Sequence, residues 1–567
     1  MKFSEFPYER PDLDKTLAYV EELKERLQNA KNYDEFFAAF QDYDKALKHL
    51  DTQANLAYTR YTINTKDPFY VKERDWFDEV SPKISSAQTE LVKVIMDSPY
   101  REELEKVVPR TWFLKNEFDM KTIAPQIIED MQEENKAASD YQKLIASAQI
   151  EFDGKTYTLA GLDEKMSSPD RSVRERAHKA YWNWFAEHEK EIGDIYDRLV
   201  KIRTRIAKKM GYDTYVPFGY MRMQRMDYDR DDVEVYRQNV LKDIVPVAMD
   251  LYADQAKRFG YEGSQLPVWD EKVEFESGNP KPIHDEKGIV KEVQKMFEEM
   301  DPETGRFFDT MVDQELLDLA SRPGKAAGGY CTGIPDYKVP FVFANFAGTQ
   351  GDIETLTHES GHAFQAWSSM DIFPAECVWP TMESAEIDSM SMEFFAWPWM
   401  KNLFGDKAEK YYYSHLAGAV KFIPYGVLVD HFQHEVYDHP EWTNDERMAC
   451  WRELEKKYLP QKDYSEIDFL ERGGWWMRQL HIFLDPFYYI DYTLAQAAAL
   501  QFWSRMMKKD PQAFEDYKKL CRAGGTKPFR ELIELANLKV PFEDGCLAET
   551  MDEVREWYKD NKDLVKE

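Results

Sequence analysis

Cysteine is scarce in this sequence. Five residues among 567 (Cys331, Cys377, Cys450, Cys521 and Cys546) stand far apart, odd in number and without a C-x-x-C pair. Such usage argues against a disulfide framework and against a thiolate metal site. Long apolar runs are missing as well. No stretch approaches the ~20 residues needed to span a bilayer, and the segment from Met1 to Pro11 has neither the apolar core nor the cleavage site of a leader. A reducing cytoplasm is therefore the expected compartment. Positive charge is in deficit, with 74 Lys and Arg against 105 Asp and Glu and a formal net charge of −31. That surface repels phosphate backbones and anionic membranes, so no nucleic-acid or membrane partner is expected. The oligomeric state is left open.

Helical periodicity is what the chain has in abundance. Apolar residues recur at three- and four-residue steps over 13–27, 33–50 and 75–96. Pro68, Pro82, Pro99 and Pro109 are expected to cut this region into helical hairpins. The character changes at 149–159, where Asp153-Gly154 between short alternating runs predicts a β-hairpin. Helices resume from 168 to about 209, and the polar stretch from Pro267 to Pro282 reads as a connection. No internal repeat or low-complexity tract is present. A chain of this length buries a large core and divides into more than one lobe.

The densest chemistry is the pentapeptide His358-Glu359-Ser360-Gly361-His362. On a helix, positions i and i+4 lie one above the other, so both imidazoles reach one metal ion. Glu359 then projects beside the metal, where a carboxylate can take a proton from water. The pattern reads as a zinc peptidase site. Its flanks agree. Gly351-Asp352 offers a turn and an N-cap, and Ile353, Leu356 and Ala363 give a helix over about 353–368. Upstream, 339–346 is aromatic and β-branched, a strand where an extended peptide can pair by backbone hydrogen bonds. A catalytic zinc needs a third protein ligand and an open position. The run 383–395 has helical character, and Glu383, Glu386 and Glu393 share a face, so spacing alone leaves all three open. The carboxylates not used, Glu393 or Asp388, suit the task of holding a ligand histidine by its second N–H.

With these residues in view, the chain resembles the thimet oligopeptidase and oligoendopeptidase F family of zinc metallopeptidases, most closely the bacterial oligoendopeptidase F branch. The resemblance rests on His358 to His362 followed by Glu386-Ile387-Asp388-Ser389 and Glu393, on Arg322 to Cys331, on Asn345 to Thr349, and on His481 to Tyr492. It singles out Glu386 as the third ligand beside His358 and His362. It also implies that His481 and the tyrosines Tyr488, Tyr489 and Tyr492 steady the tetrahedral intermediate, as preorganised donors must. Here the chain departs from the thimet branch, whose tyrosines sit in a glycine-rich loop: Pro486 and Phe487 stand where glycine would be expected.

The resemblance implies a mainly α fold, a two-lobed helical shell around a deep channel with a small sheet beside the zinc helix. Residues 1–195 would form an amino-terminal helical lobe and 196–567 the zinc peptidase region. The expected activity is zinc-dependent hydrolysis of internal bonds in short unfolded peptides, one ion per chain. Phe343, Ala344 and Asn345 on the strand would hold substrate backbone, and Gly328-Gly329 would close over it. A carboxypeptidase or dipeptidyl carboxypeptidase of the same zinc type is the alternative, and a non-catalytic peptide-binding protein a more distant one. Among the remaining histidines, His431 and His434 are spaced like ligands but lack a third partner and read as structural. His415 reads as packing, and His49, His178, His188 and His284 as surface.

Overall fold

A computed structural model describes residues 1–464 and 466–562. Among the described residues the chain is mainly α, with three small sheets. It forms two compact units, each assembled from three stretches: Met1–Met120, Lys281–Ala408 and Arg505–Leu538 in one, and Lys121–Pro280, Glu409–Ser504 and Lys539–Glu567 in the other. Neither follows a single cut at residue 195.

In the first unit, helices Leu13–Gln28, Tyr33–Ile63 and Pro68–Met96 pack together. Asp12 and Asn32 cap the first two by accepting backbone N–H groups of Lys15 and Glu35. Leu23, Phe36, Phe40, Leu91, Ile95 and Trp112 fill the core between them. The second helix runs well past the expected end at 50. Its polar extension is held by the sheet, where Asn55 donates to the Gly333 carbonyl at 2.9 Å and Thr62 meets the Tyr330 hydroxyl at 2.6 Å. Tertiary contacts outweigh local propensity there. Pro82 does not end its helix either. It lies on the exposed face, where water can take the carbonyl that loses its donor.

A three-stranded sheet carries the site. Strand β1 (Leu317–Ala320) runs parallel to β3 (Val339–Phe346), and β2 (Tyr330–Ile334) runs antiparallel to β3, in the order β1-β3-β2. The long apolar strand is thus the middle one, and its residues from Val339 to Ala344 are all buried. In the second unit, helices Ile128–Ala146 and Glu189–Lys209 pack on each other, and the greater part of helices Ala408–Asp438 and Tyr489–Met507 supplies long buried rods. The hairpin Ile150–Phe152/Lys155–Tyr157 turns at Asp153 and Gly154, both at positive φ (48° and 76°). That is the two-residue turn that Asp-Gly favours. Among the described residues, no helix is long and apolar enough to cross a membrane.

Candidate metal centre

The pentapeptide lies in the middle of helix Gln350–Ser369, called the motif helix below. Thr349, not Gly351-Asp352, is its N-cap. Asp352 instead sits one turn inside, where its carboxylate accepts the backbone N–H groups of Ala347, Gly348 and Thr349 at 2.7–3.2 Å. A carboxylate at that position also opposes the positive end of the helix dipole. Ile353, Leu356, Ala363 and Phe364 are fully buried, and each larger one contributes about 1.5–3 kcal/mol by burial. The motif helix is thereby fixed in place before any ligand chemistry begins.

Helix Met382–Phe395, the acidic helix, crosses it at Gly361. A Cβ at 361 would stand 2.5 Å from the Asp388 carbonyl oxygen and 2.6 Å from Ser389 Cα. Only glycine admits that approach, and the approach brings Glu386 to the two histidines. His358 Nε2 and His362 Nε2 lie 3.3 Å and 3.6 Å from Glu386 Oε2. Ligand atoms around a tetrahedral ion at ~2.0–2.2 Å stand about 3.3–3.6 Å apart, so this donor set fits zinc. His358, His362 and Glu386 form the one such group of histidine, cysteine or carboxylate side chains among the described residues. Of the three acidic candidates, spacing had left the choice open. Glu386 points to the histidine nitrogens, and Glu393 Oε1 takes the other nitrogen of His358, Nδ1, at 2.8 Å. Ser389 Oγ donates to Glu386 Oε2 at 3.0 Å and orients it. Asp388 does not serve a histidine. Its carboxylate faces Cys521 Sγ at 3.5 Å, and its main-chain carbonyl accepts the Tyr517 hydroxyl at 2.8 Å.

Electrostatics follow the geometry. Burial works against a charged His358, but the hydrogen bonds to Glu386 and Glu393 outweigh it and raise its pKa well above the ordinary value. Burial likewise opposes ionised Glu386, yet the two imidazoles hold its carboxyl far below the usual range. The pocket is thus arranged to hold cationic charge. Glu359 is different. It accepts from neither imidazole, and burial pushes its carboxyl up while His358 and His362 pull it back. A carboxylate of raised basicity beside a metal group is what a general base requires.

The glycine turn borders this carboxylate. A Cβ on Gly329 would come 3.6 Å from Glu359 Oε1, and Gly328 holds φ +93°. Asn345 ties the turn down by donating from Nδ2 to the Ala326 and Gly328 carbonyls at 2.9 Å and 2.8 Å. Gly328, Gly329 and Asn345 therefore gather beside the motif. Phe343 and Ala344 do not offer a free edge. β3 is paired on both sides, both residues are fully buried, and the Ala344 carbonyl is taken by Lys325 Nζ. The strand signal was right, but β3 runs between β1 and β2 rather than along an edge of the sheet.

His481, Tyr488, Tyr489 and Tyr492 lie together in the second unit. The His481 ring stands 5.8 Å, 5.0 Å and 6.0 Å from those of Tyr488, Tyr489 and Tyr492. Gln479, which sequence reasoning passed over, meets His481 Nδ1 at 2.9 Å and accepts from the Tyr425 hydroxyl at 2.5 Å. Burial lowers the His481 pKa, favouring the neutral ring. The second histidine pair is structural: His434 is buried between Tyr220 and Asp430, and His431 contacts Tyr458 and Glu435. His415 packs on Tyr411. His178 is not a surface residue. It is 1 % exposed, on the inner face of helix Arg171–Glu187.

The sequence matches the Peptidase M3 N-terminal domain over residues 3–123 and Peptidase family M3 over residues 165–552. The chain belongs to peptidase family M3. Solved structures of similar proteins extend over the whole length. PZ peptidase A, determined with an inhibitor, is 47 % identical, with a TM-score of 0.90 over 99 % of this chain and 100 % of its own. A protein of Bacillus anthracis strain Ames assigned as oligoendopeptidase F is 44 % identical, with a TM-score of 0.86 over 100 % of this chain and 99 % of its own. An oligoendopeptidase F homolog of Borreliella burgdorferi (strain B31) is 26 % identical over 225 residues, 38 % of this chain. The chain spans only 37 % of that relative. Within this M3 peptidase the candidate metal centre falls inside the matched family region, 165–552.

Proposed function

We propose that this M3 peptidase is a zinc-dependent endopeptidase that hydrolyses internal bonds of short, unfolded peptides. The observation that carries the reading is the convergence of His358 Nε2 and His362 Nε2 on Glu386 Oε2, with Glu393 on the far side of His358. His358, His362 and Glu386 would hold one zinc ion, leaving a position for water. When bound, the ion supplies Lewis-acid activation of water and of the scissile carbonyl.

The protein's own groups do the proton work. Glu359 accepts the proton of the attacking water and delivers it to the leaving amine nitrogen. Its burial raises the basicity of the carboxylate, which favours the first transfer. Glu393, accepting the Nδ1–H of His358, fixes the tautomer that presents Nε2. His481, with one of Tyr488, Tyr489 and Tyr492, is assigned to steady the oxyanion. The family resemblance and their grouping around one histidine support that assignment. Gly328, Gly329 and Asn345 are the substrate-facing candidates, because a Cβ at 329 would be in van der Waals contact with Glu359 Oε1 at 3.6 Å. The scarce, scattered cysteines and the charge of −31 support a cytoplasmic protein without nucleic-acid or membrane partners.

The test is product mapping. Quenched peptides of graded length are incubated with the enzyme, with a chelator, and with chelator followed by excess zinc. Internal cuts that vanish and return support the proposal. Cuts confined to one terminus would replace it with an exopeptidase, and cuts indifferent to the chelator would remove the metal.

A further inference from the structure

The segment that carries His481 and the three tyrosines has Pro486-Phe487 where the thimet branch would place glycine, and the structure shows how the backbone turns there without one. Phe487 sits at φ +69°, the left-handed region that glycine enters freely and phenylalanine rarely does. It is held there from three sides. Its backbone N–H donates to Gln433 Oε1 at 3.0 Å. Its carbonyl accepts from the Arg225 guanidinium. Its fully buried ring lies among Tyr215, Tyr220, His434 and Tyr437. Gly219 leaves the room, since a Cβ there would stand 2.7 Å from the ring.

Arg225 does more than hold one carbonyl. It also lies 3.0 Å from Asp491 Oδ1, in the first turn of the Tyr489–Met507 helix, and over the Tyr220 ring at 4.3 Å. One buried cation therefore ties the carbonyl before Tyr488 to the carboxylate between Tyr489 and Tyr492. A second buried arginine, Arg203, takes the Ile482 and Phe483 carbonyls just after His481, the latter at 2.5 Å. Buried ion pairs are poor devices for stability, because apolar residues of the same volume serve as well, whereas they do specify one geometry in some proteins. Strain held by its surroundings is typical of segments that preset a functional geometry.

We infer that Arg225, acting with Gln433 and Asp491, is a positioning residue: it imposes the left-handed backbone at Phe487 and so sets the directions in which Tyr488, Tyr489 and Tyr492 project. The inference rests on the reading that His481 and a tyrosine steady the oxyanion. A donor misplaced by about 1 Å costs on the order of 10²-fold in rate, so the effect belongs in kcat.

The experiment compares zinc-loaded wild type with Arg225→Met, Arg225→Lys and Gln433→Met on one internally cleaved peptide. Arg225→Met is expected to lower kcat by about 10–100-fold, with KM within about twofold and zinc content unchanged. Arg225→Lys, which keeps the charge beside Asp491, recovers part of the loss. Combined with the most damaging of the three Tyr→Phe variants, Arg225→Met costs little more, since both act through one group. If Arg225→Met does not fold, Gln433→Met, which removes the acceptor of the Phe487 N–H together with a donor to the Val429 carbonyl, carries the same split. Wild-type kcat in folded Arg225→Met or Gln433→Met, or losses that multiply, would overturn the positioning role. Wild-type kcat in His481→Ala and in every Tyr→Phe variant would overturn the oxyanion reading itself, and the positioning role with it.

Discussion

Gly361→Ala is the smallest change that reaches the metal centre without touching a ligand. An alanine in a helix interior ordinarily gains about 1 kcal/mol over glycine. Here the sign should reverse. The new methyl would stand 2.5 Å from the Asp388 carbonyl oxygen and 2.6 Å from Ser389 Cα, both main-chain atoms. Relief to an ordinary contact needs the two helices to part by about 0.7–1 Å. The acidic helix is not free to drift, because the Tyr517 hydroxyl holds the same Asp388 carbonyl at 2.8 Å. Overpacking of this kind costs about 1–3 kcal/mol, so the net effect is a loss of up to about 2 kcal/mol. The larger consequence is at Glu386, two residues from the contact. Metal ligands tolerate displacements of about 0.2 Å, so zinc affinity should fall by at least about 10–100-fold, as it does when ligand support is lost. Competition with a chromophoric chelator measures the affinity, and urea unfolding of the metal-free protein measures the stability. Wild-type zinc affinity with unchanged or higher stability would refute the argument that this glycine sets the ligand spacing.

Other perturbations follow from the same contacts. Glu393→Gln should weaken zinc binding by about 10–100-fold by loosening the support of His358 Nδ1, read by the same competition assay; unchanged affinity would remove Glu393 from that role. Asn345→Ala should free the 326–329 turn, lowering kcat/KM without changing zinc content, and proteolysis within the turn would report its release. His178 gives a pH prediction. Burial, with Lys272 and Arg478 adding, pushes its imidazole down to about 3 from 6.5. Its neutral form therefore contributes fully above pH 6.5, and that contribution is lost as pH falls towards 3. By pH 4 the loss is about 3 kcal/mol. Urea titrations from pH 7 to 4 should show a steeper acid loss in wild type than in His178→Gln, and parallel curves would contradict the assignment.

Much of the site was legible because its signals are local. A one-turn pair of histidines, a carboxylate between them and a glycine at 361 need only a helix to acquire meaning. Asp153-Gly154 declared its turn by residue type alone. What stayed hidden depends on distant chain. The run 339–346 announced a strand, and its unbroken apolar character was compatible with a doubly buried one, but the order β1-β3-β2 is set by segments upstream that carry little pattern. His178, among Arg, Glu and Lys neighbours, looked like surface because the chain that covers it is elsewhere. Thr349 capped the motif helix in place of Gly351-Asp352 because a capping box spans three residues, and both ends of it were present. Phe487 reads as a mismatch until Arg225 and Gln433, some 260 and 50 residues away in the chain, are seen to hold it.

The most direct test of the central claim is a paired measurement on Glu359→Gln: zinc content by mass spectrometry and turnover of an internally cleaved peptide. The account predicts one zinc per chain, as in wild type, with turnover lower by at least about 10²–10⁴-fold. Turnover near wild type in the zinc-loaded variant would contradict it.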